Sequence, residues 1–100
     1  MAETLNYTIT EIKGIVRPIL DKYSAREAVL FGSFARNEAH DNSDIDIMVV
    51  GGNDFDPTDI FCIAEDLYRL SGKNVDVYEE REINKDSDFY RNILRDGVKI

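Results

Sequence analysis

The chain has 100 residues, with 12 Lys and Arg against 20 Asp and Glu, a formal net charge of -8. That length predicts one domain over residues 1–100, able to bury roughly 60–70% of its unfolded surface, and 43% hydrophobic residues exclude a disordered chain. The acidic balance excludes binding of free nucleic acid through phosphate neutralisation and favours a basic protein partner or a site that recruits divalent cations. Cys62 is the only cysteine, so neither an intramolecular disulfide nor a cysteine zinc cluster is available. No apolar run approaches a membrane span, and Met1 to Thr4 lack the basic start of a signal peptide. A cytoplasmic protein is expected.

In chain order, Ile9, Ile12, Ile15, Val16, Ile19, Leu20 and Tyr23 recur at helical spacing, predicting a helix over about Thr8 to Tyr23. Thr8 and Glu11 have the spacing of a capping box, and Pro18 predicts a kink or a late start to the regular helix. Glu27 to Phe31 reads as a buried strand ended by Gly32-Ser33, with a short helix opening at Phe34-Ala35-Arg36. A polar loop from Asn37 to Ser43 leads to a second strand, Asp44 to Val50, in which Asp44 and Asp46 share one face.

Asp56-Pro57 predicts a helix start, Ile60, Ile63, Ala64, Leu67 and Tyr68 its buried stripe, and Gly72 its stop. Cys62, inside that helix, reads as a packing residue, and His40, with no second metal ligand near it, as a surface loop residue. Val75 to Tyr78 is a third strand with Asp76 opposite its valine neighbours. A helix over Ser87 to Arg95 and a final extended piece at Val98 to Ile100 complete an α/β (α+β) domain with a small mixed sheet.

The informative stretch is Leu30-Phe31-Gly32-Ser33-Phe34-Ala35-Arg36, continuing to Ser43-Asp44-Ile45-Asp46-Ile47. Gly-Ser, a ten-residue spacer and Asp-x-Asp resemble the signature of the DNA polymerase beta-like nucleotidyltransferase superfamily, and Arg36 with the apolar run after Asp46 resembles its minimal nucleotidyltransferase branch. Where many members carry glycine after the arginine, this chain has Asn37, which tolerates a left-handed backbone. The resemblance implies the polymerase beta-like fold and an antitoxin paired with a HEPN (higher eukaryote and prokaryote nucleotide-binding) toxin. It also implies transfer of AMP to a tyrosine hydroxyl of that toxin.

The residues support the same chemistry. Carboxylates two apart on a strand project together and can clamp a pair of divalent ions, with Mg²⁺ the natural choice for hard oxygen ligands and Mn²⁺ the alternative. Gly32 allows close backbone approach, Ser33 adds a hydroxyl donor, and free N–H groups after them suit the phosphates of ATP. Asp76 reads either as the third carboxylate or as the exposed face of a strand; the family pattern implies that it holds one metal and helps deprotonate the attacking hydroxyl. Arg36 reads either as a triphosphate contact or as the partner of a surface carboxylate such as Glu38. Ser43 reads either as a nucleotide contact or as a loop cap. Two other functions compete: an antitoxin that neutralises by binding alone, and a small-molecule nucleotidyltransferase whose second pocket wall comes from a homo-oligomer.

Overall fold

Thr8 sets where the first helix begins. In the computed structural model, which describes residues 6–100, the Thr8 hydroxyl accepts from the Glu11 N–H at 3.1 Å. Glu11 Oε1 accepts from the Thr8 N–H at 2.9 Å, so both halves of the capping box close and α1 runs Ile9–Lys22. The helix starts on time and continues through Pro18. Pro18 and Gly14 are both exposed, so the Gly14 carbonyl that Pro18 leaves without an N–H meets water. Met1 to Thr4, read above for a leader, lie outside the described residues.

Four strands follow: β1 (Glu27–Phe31), β2 (Ile45–Val50), β3 (Val75–Glu79) and β4 (Val98–Lys99). They form one sheet in the order β3-β2-β1-β4, with β2 and β3 parallel and both pairs involving β1 antiparallel. The expected mixed sheet is therefore present. Between β2 and β3 the chain crosses over through a 3₁₀ turn at Pro57–Asp59 and α2 (Ile60–Ser71). Asp56 caps that turn by accepting from the Thr58 N–H at 3.0 Å. Gly72, at φ 73°, ends α2 in the left-handed conformation.

Alternation along the strands sends two apolar sets to opposite faces. Leu30, Ile47 and Val75 pack with Ile12, Val16 and Leu20 of α1 and Ile63 and Leu67 of α2. Phe31 and Met48 pack on the other face with Ile93 of α3 (Asp88–Asp96), whose N-cap is Ser87. No helix among the described residues is long and apolar enough to cross a membrane.

Three local expectations change. Tyr68 is exposed, because the buried stripe of α2 runs Ile63, Leu67, Ser71 at four-residue spacing and leaves position 68 on its flank. Cys62 is exposed as well and is no packing residue. The segment after Gly32 is a hydrogen-bonded turn with no helix in it.

Candidate active site

The site is built where three strands meet at one end of the sheet. Phe31 pairs with Asp46 across β1 and β2, and Asp46 pairs with Asp76 across β2 and β3. Gly32-Ser33, Asp46 and Asp76 therefore come together from the ends of neighbouring strands. Ile45 makes the first rung of β2, its N–H donating to the Asn74 carbonyl at 3.0 Å. Asp44 thus stands just outside the strand in which it was expected, exposed and still flanking the same end.

Gly32 is required twice over. Its φ is +75°, and a Cβ placed on it would overlap the Asp46 carboxylate. After it the chain makes one turn. Arg36 N–H donates to the Gly32 carbonyl at 3.2 Å, Asn37 N–H to Phe34 at 3.4 Å and Glu38 N–H to Ser33 at 2.9 Å. The last two bonds, with Asn37 at φ 59°, are those of a helix-ending Schellman motif. Asn37 closes the segment before a helix can grow, in the left-handed conformation that asparagine tolerates. Among the described residues, the N–H groups of Ser33, Phe34 and Ala35 donate to none of these bonds, and they could meet an anionic ligand.

Arg36 and Ser43 are engaged locally. Arg36 Nε pairs with Glu38 at 3.0 Å on the surface. The Ser43 hydroxyl accepts from the His40 N–H at 2.9 Å, which is the loop-capping role. His40 is exposed, as expected, and its Nδ1 accepts from the Asn42 N–H at 3.3 Å.

Sequence reasoning missed Lys73. It is only 5% exposed, its Nζ donates to the carbonyls of Asp41 at 2.8 Å and Ser43 at 3.0 Å, and the same ammonium lies 5.6 Å from the centre of the Phe34 ring. It ties the loop before Asp44 to the turn after Gly32. A lysine beside a helix-ending glycine gives no sequence signal of this. Glu79, 1% exposed, was also missed; it accepts from the backbone N–H and Nε of Arg81 at 2.6 and 2.7 Å.

Burial is the main cause that lifts the Asp46 carboxyl to about 6, with the neighbouring Asp76 carboxylate next and Asp44 weaker; Arg36 pulls the other way. The Tyr78 phenol, two residues beyond Asp76, is raised by burial and then by the charges of Asp76 and Asp46. Among the described residues no three His, Cys, Asp or Glu side chains close on a cation by themselves. The residues that could hold one are Asp44, Asp46 and Asp76. Two in-register carboxylates whose charges oppose each other fit a hard dication that takes its remaining oxygens from water or phosphate.

A glycine turn beside paired strand carboxylates stands at one end of the mixed sheet. Residues 15–100 match the family model described as polymerase beta, nucleotidyltransferase, and the chain belongs to that family. A Methanocaldococcus jannaschii relative named a protein adenylyltransferase is 41% identical over 76 residues, 76% of this chain and 82% of the relative. Two solved structures share the fold. One, a toxin–antitoxin crystal structure with AMP-PNP, has a TM-score of 0.75 at 22% identity, over 87% of this chain and 70% of that one. The other, a tri-AMPylated Shewanella oneidensis HEPN toxin in complex with its MNT antitoxin, has a TM-score of 0.68 at 18% identity, over 90% and 69%. The chain is an enzyme of the nucleotidyltransferase class.

Proposed function

We propose that this chain transfers AMP from ATP to a tyrosine hydroxyl of a HEPN-type toxin in the cytoplasm and so acts as its antitoxin. The observation that carries the reading is the register pairing of Asp46 with Asp76 beside Gly32. The name of the Methanocaldococcus relative and the AMPylated toxin in the Shewanella complex support the acceptor class. A net charge of -8 suits a basic partner.

Gly32 and Ser33 hold the outer phosphates. Arg36 reaches the triphosphate by leaving Glu38, and Ser43 steadies the loop around the nucleotide. Asp44, Asp46 and Asp76 hold Mg²⁺, two ions in the full complex, with Mn²⁺ able to replace it. Bound there, the metal supplies charge neutralisation at the α-phosphate. Asp76 takes the proton of the acceptor hydroxyl as that oxygen bonds to the α-phosphorus. The bond from that phosphorus to the bridging oxygen breaks, and its electron pair leaves with pyrophosphate.

Mass spectrometry of a purified HEPN toxin after incubation with this chain and MgATP tests the reading. A monophosphate-nucleoside adduct on tyrosine is expected. A tight complex without any adduct would favour neutralisation by binding alone.

A further inference from the structure

The groups of the site follow a fixed order across the sheet. Gly32 and Ser33 follow β1, Asp46 is on β2, and Asp76 is on β3, the edge strand. Displacement at phosphorus sets the entering and departing oxygens on opposite sides of the reacting atom. With pyrophosphate departing at the Gly32-Ser33 end, the acceptor hydroxyl enters from the side of β3.

That side carries a cleft. Between β3 and α2 lies a space of about 450 Å³ lined by Asp44 and Asp76 together with Phe61, Ala64, Tyr68 and Asn74. Phe61 is 74% exposed and Tyr68 49%. The two stand seven residues apart, two turns along one side of α2. Neither belongs to the apolar core, which α2 reaches through Ile63 and Leu67. Most of the Phe61 ring and about half of the Tyr68 side chain are thus left in water, which is unfavourable. An aromatic wall next to reactive carboxylates is the composition of a ligand site.

The charge of the lining selects the ligand. Asp44, Asp76 and Glu65 line the cleft, Glu65 paired with Arg69 at 3.2 Å, and no Lys or Arg is among the lining residues. A polyphosphate is repelled there, while a cationic peptide is attracted. We infer that the cleft between α2 and β3 seats the acceptor. It takes a tyrosine ring packed against Phe61 and Tyr68, presented by a partner segment with Lys or Arg on either side of it. This rests on the transfer reading proposed above.

The test uses short synthetic peptides: one tyrosine between arginines, the same peptide with glutamates for the arginines, and the first with serine for tyrosine. With MgATP, Phe61→Ala and Tyr68→Ala should each raise KM for the arginine peptide about tenfold and leave the dissociation constant of MgATP as in wild type. Leu70→Ala, exposed on the same helix but outside the cleft lining, should change neither. Glutamate and serine peptides should be poor acceptors of wild type. Binding of the arginine peptide is followed separately, without nucleotide, by NMR shift mapping. A peptide that shifts α2 and β3 resonances yet is never modified would overturn the transfer reading and keep the docking one. Modification with a KM indifferent to both substitutions would overturn the docking reading alone. So would a weakened MgATP affinity in the two variants, which would give the cleft to the nucleobase. Neither binding nor transfer would sink both.

Discussion

Asp46 and Asp76 are register partners on adjacent parallel strands, so their carboxylates leave the same face of the sheet about 4.8 Å of strand spacing apart. Two negative charges held that close are a liability for the fold without a cation, and a ready site with one.

Stability should therefore depend on pH through Asp46. Its carboxyl lies near 6 in the folded chain against an ordinary value of 3.8. Between those values the folded state binds the proton more tightly than the unfolded one, so this group's contribution falls as pH rises and is fully unfavourable above about 6. Asp46→Asn should unfold at a higher urea concentration than wild type at pH 8, with the gain shrinking as pH falls towards 4. An equal gain at both ends would contradict the assignment.

Cation binding should mirror this. Mg²⁺ or Mn²⁺ with ATP should raise the melting temperature of wild type, more at pH 7.5 than at pH 5.5, where the Asp46 proton competes. Asp44→Ala and Asp76→Asn should each gain less, and transfer by either should fall at least about a hundredfold, a loss of several kcal/mol in transition-state stabilisation. Scanning calorimetry and single-turnover assays read the two effects apart.

Gly32→Ala should lose both stability and transfer. The left-handed backbone alone costs about 1–2 kcal/mol, and the new methyl displaces the Asp46 carboxylate. At Asn37, the other left-handed position of the same turn, glycine should be neutral or slightly stabilising. Denaturant midpoints of the two variants should move in opposite directions or one not at all.

Lys73→Met keeps the length of the side chain and removes the ammonium. The Asp41 and Ser43 carbonyls lose a charged donor, which should destabilise the chain by about 2 kcal/mol. Nucleotide affinity should fall as well, since the loop before Asp44 is no longer tied to Phe34. Affinity unchanged at matched folding would limit Lys73 to a stability role.

Local signals made most of the fold legible. Thr8 and Glu11, Asp56 and Gly72 each act within a few residues of themselves; Thr8, Glu11 and Gly72 bound their helices as their spacing predicts, while Asp56 caps a 3₁₀ turn just ahead of α2. Asn37 was legible for the same reason, since a positive φ restricts which residues can serve, and Gly32 through the close approach that a side chain would block. Tyr68 and Cys62 were misplaced because helical periodicity fixes an apolar stripe but not its width, which neighbouring elements decide. The short helix at Phe34 failed because one left-handed residue ends a helix that local propensity starts. Lys73 was illegible since its partners, Asp41 and Ser43, lie about thirty residues earlier and are backbone carbonyls that any side chain would present.

Parallel strands cannot be joined by a tight turn, and the whole stretch from Gly51 to Asn74 runs between β2 and β3. The β1–β2 pair that sets Gly32 against Asp46 can form from nearby chain, whereas Asp76 arrives only when that long crossover has closed. Setting Asp46 beside Asp76 thus needs a longer loop closure than setting Phe31 beside Asp46. The longest closure in the sheet is the β1–β4 pair, which sets Val29 against Lys99, so the sheet that carries the candidate site is complete only when the C-terminal strand has docked.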